Sequence, residues 1–595
     1  MLKDHSCGEL RKQHIGQEVT LAGWVHRRRD HGGMVFIDLR DREGIVQVVF
    51  NPQTAQRAYE VATSLRNEYV IHLSGEVTLR PQGTANANLD TGEVEVSVKK
   101  LAVLNPSPTP PFYINEDVDV DELLCLKYRY LYLRRQRLQR NLALRHRAVK
   151  FIRNFFDGKG FLEVETPILI KSTPEGARDY LVPSRLNLGK FYALPQSPQQ
   201  LKQMLMVSGL ERYFQVARCF RDEDLRADRQ PEFTQCDVEM SFVDEEDILQ
   251  LTEELFTSLV KEVIPQKRML LPFPRLTNRE TMERYGTDKP DIRFGMELSD
   301  ITDIALQTEF DIFRAAIKAG GTVKGICVPG CGSYTRHQMD ELIELAKSNG
   351  ACGLTTVSIS PESSTSFKSA ALKHITQAQL ESIAARLDAR QGDLLLIVAD
   401  KPDVVNNVLD VLRREMADRL NLRDKNLLAF TFITDFPLLQ WNDATNRWDV
   451  MHHPFTAPKD EDIALLDSDP ASVGGRHYDL VCNGSELGSG SIRMHHRQLQ
   501  EKIFTLLGYS SEEINQQFGS FLTALEYGAP PHGGIALGID RTIMIFAGEQ
   551  SIREVIAFPK NQNAVDMTFD APSVVTQQQL DELNLTLKNK QIIKG

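Results

Sequence analysis

No apolar run in this chain approaches the roughly 20 residues that a membrane-spanning helix needs; one of the longest is Leu394 to Ala399. The N-terminus carries no signal-like apolar core, so a soluble, cytoplasmic protein with no membrane partner is expected. Cysteine is sparse: eight residues, at 7, 125, 219, 236, 327, 331, 352 and 482, of which only Cys327 and Cys331 are close, without a second Cys or His pair at metal-site spacing. That usage fits buried thiols in a reducing compartment better than disulfides or zinc. There is no G-x-x-x-x-G-K-[ST], so phosphate is not held by a P-loop. Positive charge is in deficit, with 69 Lys and Arg against 81 Asp and Glu and a formal net charge of −12. The balance argues against indiscriminate nucleic-acid binding while leaving local binding open.

What is present is enough for several cores: 595 residues, 42% hydrophobic, point to three or four domains. The richest chemistry lies between Val216 and Phe242. Strand-like Tyr213 to Phe220 and Phe233 to Val238 flank a loop holding Arg221, Asp222, Glu223, Asp224, Arg226, Asp228 and Arg229. Alternation outside and charge inside predict an antiparallel hairpin with a long polar loop. Arginine grips phosphate as a planar fork, and the interleaved carboxylates keep the empty loop from repelling itself. A solvated hairpin tip with internal ion pairs explains the same residues, and the stretch alone does not separate the two.

Near the other end, Gly533-Gly534-Ile535-Ala536-Leu537-Gly538-Ile539-Asp540-Arg541 is a glycine-punctuated strand entering an apolar helix with one arginine at its start. An arginine among apolar residues needs an anionic partner. Upstream, Phe161-Leu162-Glu163-Val164-Glu165-Thr166-Pro167 follows a long helical pattern. In order, these three segments resemble motifs 1, 2 and 3 of the class II aminoacyl-tRNA synthetases. Ser172-Thr173-Pro174-Glu175-Gly176-Ala177-Arg178-Asp179 and Met451-His452-His453-Pro454-Phe455 extend the resemblance to the bacterial aspartyl type over nearly the whole chain. His14-Ile15-Gly16-Gln17 resembles a class I signature, but no nucleotide-binding parallel sheet or K-M-S-K-S loop accompanies it.

The expected architecture is α+β and multidomain: an N-terminal OB-type β-barrel, a class II antiparallel sheet flanked by helices, and an inserted α/β domain. Residues 1–105 offer five strands (Val19 to Val25, Val35 to Leu39, Ile45 to Phe50, Tyr69 to Glu76, Glu93 to Val98) and one helix, Thr54 to Arg66. A hinge is expected at 106–137, opening on the stiff Pro106-Ser107-Pro108-Thr109-Pro110-Pro111. Catalytic segments are expected at 138–286 and 421–560, an insertion at 287–420 and a C-terminal extension at 561–595. Between Lys127 and Arg153 lie ten Lys or Arg and no acid. That stretch suits either a polyphosphate backbone or ion pairs with acids elsewhere.

The resemblance also implies roles. ATP and magnesium activate L-aspartate as an adenylate, with Arg221, Arg541 and Glu486 catalytic. Arg221 bridges the α-phosphate and the reacting carboxylate; Arg541 holds the γ-phosphate end with its guanidinium against the adenine, and Phe233 stacks on the base's other face. Asp222, Glu223, Gln230, Gly538, Ile539 and Asp540 complete the nucleotide set, and Asp479 with Glu486 offers hard oxygen ligands for magnesium. Lys202 and Arg493 fit the substrate's side-chain carboxylate, with His452 and His453 as further donors, while Glu175, Ser197, Gln199 and Asp237 suit its α-ammonium. Arg29, Phe36 and Gln47 of the barrel would read the anticodon, Phe36 competing with a core role. Partners are a second copy of the chain and tRNA. Relaxed members, which charge both the aspartate and the asparagine tRNAs, tend to carry a histidine and a small residue where His31 and Gly83 stand; strict ones tend to carry leucine and lysine.

Overall fold

The structure is a computed structural model describing residues 2–116, 118–173, 176–362 and 366–588. It divides into two compact units, 1–143 with 553–573 and 144–552 with 574–595.

In the first unit, strands Glu18–His31, Met34–Arg40, Ile45–Phe50, Val70–Leu79 and Val94–Asn105 close a barrel in the order first, second, third, fifth, fourth. Only the third and fifth run parallel. Alternation drives closure: Val19, Leu21, Val35, Ile37, Leu39, Val46 and Val48 point into one apolar core. Helix Pro52–Thr63 packs Ala58 and Ala62 against that core. It starts two residues earlier than expected because Asn51 caps it, accepting from the Gln53 N–H at 2.9 Å, and Pro52 takes the first helical position.

The second unit is built on an eight-stranded sheet, in spatial order Arg275–Thr277, Phe430–Thr434, His477–Cys482, Ser485–Ile492, His532–Gly538, Glu232–Ser241, Arg212–Phe220, Leu162–Glu163. All pairings are antiparallel except the outermost one on each side. Between 299 and 400, five further strands, all antiparallel, form a separate sheet. Its strand Leu394–Asp400 is apolar at consecutive positions because both faces are covered. Leu394, Leu396 and Val398 pack with Val405, Leu409 and Leu412 of helix Pro402–Arg419, and Leu395 and Ile397 with Leu380 and Ile383 of helix Gln377–Arg386.

Ion pairs take up part of the basic stretch. Arg134 reaches Glu68 at 2.8 Å and Arg137 reaches Glu554 at 2.7 Å in the first unit, and Arg153 meets Glu163 at 3.0 Å in the second. Among the described residues, no helix is long and apolar enough to cross a membrane.

Candidate active site

The expected hairpin pairs from Phe220 and Glu232 to Arg212 and Met240, and Arg221, Glu223, Asp228, Arg229 and Gln230 of its loop line a cavity of about 450 Å³. Arg221 lies over the Phe233 ring at 5.1 Å. Its Nε is buried with no hydrogen-bond partner among the described residues, a donor left for something the protein does not supply. Glu223 is held by Arg229 at 2.9 Å. From the start of helix Ile539–Ala547, Arg541 donates to the Glu486 carbonyl at 3.1 Å and pairs with Asp228 at 3.2 Å. The arginines of the two distant segments thus share one cavity, and the reading of the loop as a merely solvated tip fails for Arg221.

The strands beneath are thin by necessity. A Cβ on Gly534 would stand 2.0 Å from the Val238 carbonyl oxygen and 2.3 Å from Glu239 Oε2, and one on Gly490 would stand 2.3 Å from the Gly534 oxygen. Glycine there lets a fully buried charge network form. Lys202, on helix Gln199–Val207, pairs with Asp237 and lies 3.3 Å from Glu239; Arg493 donates to Glu239 at 2.9 and 3.2 Å. The four are at most 1% exposed, so Lys202 is no surface lysine. Burial alone would raise the Glu239 carboxyl, but Arg493 and Lys202 overcome it and hold it at about 2. Asp237 keeps one oxygen, Oδ2, buried and unpartnered among the described residues, an open acceptor in a cavity wall.

Three histidines form the next layer. His452 is sandwiched between His453 at 4.1 Å and His477 at 4.3 Å, the latter ring parallel to it within 2°. Burial, and then the cations Arg493 and Lys202 and the neighbouring rings, hold His452 and His453 well below the ordinary imidazole range, so both are neutral near pH 7. Arg493 donates to His453 Nε2 at 2.7 Å. His477 meets Asp479 at 2.8 Å. Against burial, that contact and Ser489 keep the Asp479 carboxyl low. Glu486, on the adjoining strand, pairs with Lys289 at 3.2 Å. Among the described residues there is no cluster of three or more metal-binding side chains. Two carboxylates facing one cavity nevertheless suit magnesium, which takes one or two and completes its shell with phosphate and water.

Of the expected residues, Ser197, Gln199, Lys202, Arg221, Glu223, Gln230, Phe233, Asp237, His452, His453, Asp479, Glu486, Arg493, Gly538, Asp540 and Arg541 line this cavity. Asp222 and Ile539 are not among the lining residues. Asp222 sits by Arg178, its N–H donating to that residue's carbonyl at 3.0 Å, and the Ile539 side chain is buried, so any nucleotide contact there falls to backbone. The Asp540 carboxylate is tied to Arg145 and to the Thr234 N–H at 2.8 Å, which makes it an anchor of the helix start rather than a free acceptor. Glu175 lies outside the described residues. Sequence reading passed over Glu239, His477 and Lys289. Glu239 had a signal, being two residues beyond Asp237 on one strand and therefore on the same face.

In the barrel, Arg29, Phe36 and Gln47 sit on adjacent strands. Arg29 pairs with Asp38 at 2.7 Å and reaches Gln47 at 3.2 Å, and its register partner is Phe36. Phe36 alternates with buried Val35 and Ile37 and is half-buried, outside the apolar cluster of the barrel core. His31 is exposed where the first strand ends, before a turn of Gly32 and Gly33, both at positive φ. Gly83 has φ +83°, with nothing within 4 Å of where a Cβ would stand.

Residues 121–562 match the family described as tRNA synthetases class II (D, K and N), and residues 19–104 match the OB-fold nucleic acid binding domain. An aspartate–tRNA(Asp/Asn) ligase of Dehalococcoides mccartyi is 57% identical, with 99% of each chain covered. One from Heliobacterium modesticaldum is 53% identical over 98% of this chain and 96% of its own. Among solved structures, asparaginyl-tRNA synthetase from Pyrococcus horikoshii complexed with asparaginyl-adenylate superposes with a TM-score of 0.59 at 19% identity, covering 94% of this chain and 98% of that one. The aspartyl-tRNA synthetase of Entamoeba histolytica gives 0.56 at 18% identity, covering 94% and 91%.

Proposed function

The chain belongs to the class II tRNA synthetases of the D, K and N group, and we propose that it ligates L-aspartate to tRNA through an aspartyl-adenylate, accepting both the aspartate and the asparagine tRNA. The observation that carries the amino-acid choice is the buried network of Lys202, Asp237, Glu239 and Arg493. Two cations in fixed positions, with neutral His452 and His453 beside them, suit a side-chain carboxylate. An asparagine amide would turn its own N–H donors toward Lys202 and Arg493, which only donate, and would lose the charge-assisted contacts a carboxylate makes there. The open oxygen of Asp237, with Ser197 and Gln199, suits the α-ammonium.

Activation joins a carboxylate oxygen of aspartate to the α-phosphorus of ATP and breaks the bond from that phosphorus to the oxygen bridging to the β-phosphate; pyrophosphate leaves with the electron pair. No proton moves, so the work is positioning and charge stabilisation. Arg221 would draw the two anions together, its unpartnered Nε being the supporting observation. Arg541 would hold the triphosphate's far end. Magnesium held by Asp479 and Glu486 would neutralise charge on the phosphates. In the transfer step the terminal ribose hydroxyl of tRNA attacks the adenylate, whose own phosphate can take the proton.

Homodimer formation is supported by a run of exposed apolar side chains after the 136–158 helix: Leu162, Ile168, Leu169, Leu181, Leu186 and Phe191. Relaxed tRNA choice is supported by the relatives' names and by His31 and Gly83, an exposed imidazole and an open glycine turn that put no fixed cation at those positions. Aminoacylation with labelled aspartate on two transcripts, one with a GUC and one with a GUU anticodon at one stated salt concentration, tests it. Both are expected to be charged. Charging of GUC alone leaves a strict aspartyl enzyme, and charging of neither removes the reading altogether.

A further inference from the structure

The inserted segment is rooted in the wall of the cavity. Asp288 and Lys289, at its start, line the same space as Arg221 and Arg541. Lys289 Nζ lies 3.2 Å from Glu486 Oε2, and the same carboxylate is 3.8 Å from Arg541 Nη1, so two cations converge on one acid at one end of the cavity. Apart from Glu486, the one carboxylate within ion-pair distance of Lys289 among the described residues is Asp288, at 3.8 Å. Whenever Glu486 is engaged elsewhere, the ammonium is short of an anion, and an incoming triphosphate brings several.

The lysine's backbone is held with care. Its N–H donates to Thr287 Oγ1 at 3.2 Å, and two residues on, Asp291 is gripped by Arg293 at 2.9 and 2.6 Å. Arg413, on helix Pro402–Arg419 of the insertion, is fully buried and donates to the carbonyls of Asp291 at 2.9 Å, Phe294 at 2.8 Å and Gly295 at 3.1 Å, its guanidinium 4.1 Å from the Phe294 ring. A buried guanidinium donating to three carbonyls between Asp291 and Gly295 fixes the path of that stretch. The same segment sits against the Gly484 turn that precedes Glu486, where an added Cβ would be 3.5 Å from Asp291 Cβ.

We propose that Lys289 is a further catalytic residue of amino-acid activation, binding the terminal phosphates of ATP and the pyrophosphate that departs, and that Arg413 is its positioning residue. The inserted domain then serves the reaction by holding this lysine. The inference rests on reading the cavity as an ATP site.

The test uses the full-length protein with K289A, R413Q and the double variant. Binding of a non-hydrolysable ATP analogue and of AMP is measured by calorimetry, and aspartate-dependent ATP–pyrophosphate exchange by isotope. K289A should weaken the triphosphate analogue by roughly tenfold or more, as expected for one charge-assisted contact, and raise the KM for ATP in parallel. AMP affinity and the KM for aspartate should stay within about twofold. R413Q should move the triphosphate alone in the same direction, and the double variant should be no weaker than K289A, a pattern that a general loss of structure would not give. If R413Q is not folded by thermal melting, R413K, with one ammonium for three carbonyls, takes its place. Wild-type triphosphate affinity in K289A overturns the role of Lys289, and wild-type affinity in a folded Arg413 variant overturns the positioning role. A wild-type protein that binds no triphosphate and exchanges no pyrophosphate would instead remove the underlying ATP-site reading.

Discussion

Glu239 is the residue on which both substrate-facing cations depend. It accepts two bonds from Arg493, lies 3.3 Å from Lys202 and is wholly buried, so its charge is not screened by water. Glu239→Gln keeps the shape and removes the charge, leaving Arg493 and Lys202 with Asp237 as the nearest acid. Removing one partner of a buried pair typically costs about 3–5 kcal/mol. The variant should therefore melt well below wild type in a thermal scan; an unchanged melting temperature would mean that the network adds nothing to stability. Residues of this kind were only partly legible in the sequence. Nothing in the residues around Lys202 marks it as buried, because burial is a tertiary property that helix spacing does not carry, and the family resemblance alone points to its role. Arg541 was easier, since a lone arginine in an apolar segment announces a partner. Lys289 gave no local signal at all: it stands in a polar stretch between domains, and its place in the cavity comes from Arg413, over a hundred residues downstream.

At the scale of elements, Ile45–Phe50 could be read to the residue, but the first and fifth barrel strands run on to His31 and Asn105, past the expected ends at Val25 and Val98. The order of strands could not be read, because the pairing of His532–Gly538 between Ser485–Ile492 and Glu232–Ser241 joins segments hundreds of residues apart. That central strand explains a glycine pattern whose purpose the sequence left open. Gly534 faces Val238 and Glu239 so closely that a methyl group has no room. Gly534→Ala must push the strand or the Glu239 carboxylate aside, and overpacking of this sort costs roughly 1–3 kcal/mol. Since the displaced atom belongs to the Lys202–Arg493 network, the KM for aspartate should rise several-fold more than the KM for ATP. Equal changes in the two, measured by pyrophosphate exchange, would show that the glycine serves the sheet in general and not the amino-acid end of the cavity.

For the whole molecule, the buried ionisable groups give the catalytic unit a defined acid weakness. His452 and His453 have folded pKa values depressed far below the ordinary 6.5, by burial first and by Arg493, Lys202 and the adjacent rings after it. The unfolded chain takes up protons at these rings near pH 6.5 and the folded chain does not, so their contribution is present above about 6.5 and is lost as the pH falls below it, by about 1.4 kcal/mol per pH unit for each ring. Glu239 adds a second stage. Its folded value is about 2 against an ordinary 4.5, so its contribution is complete above 4.5 and disappears between there and 2. A chain of two compact units need not unfold in one step, which makes a local probe preferable to a single melting curve. Hydrogen exchange, corrected for the intrinsic pH dependence of the chemistry, should show protection of Ser485–Ile492 and Glu232–Ser241 falling from about pH 7 to pH 5.5 faster than that of Thr322–Val328 and Leu394–Asp400 in the insertion. Protection of Ser485–Ile492 and Glu232–Ser241 that stays constant over that range would mean that His452 and His453 take up their protons without opening the site, and the neutral pair beside Arg493 would then have to be abandoned.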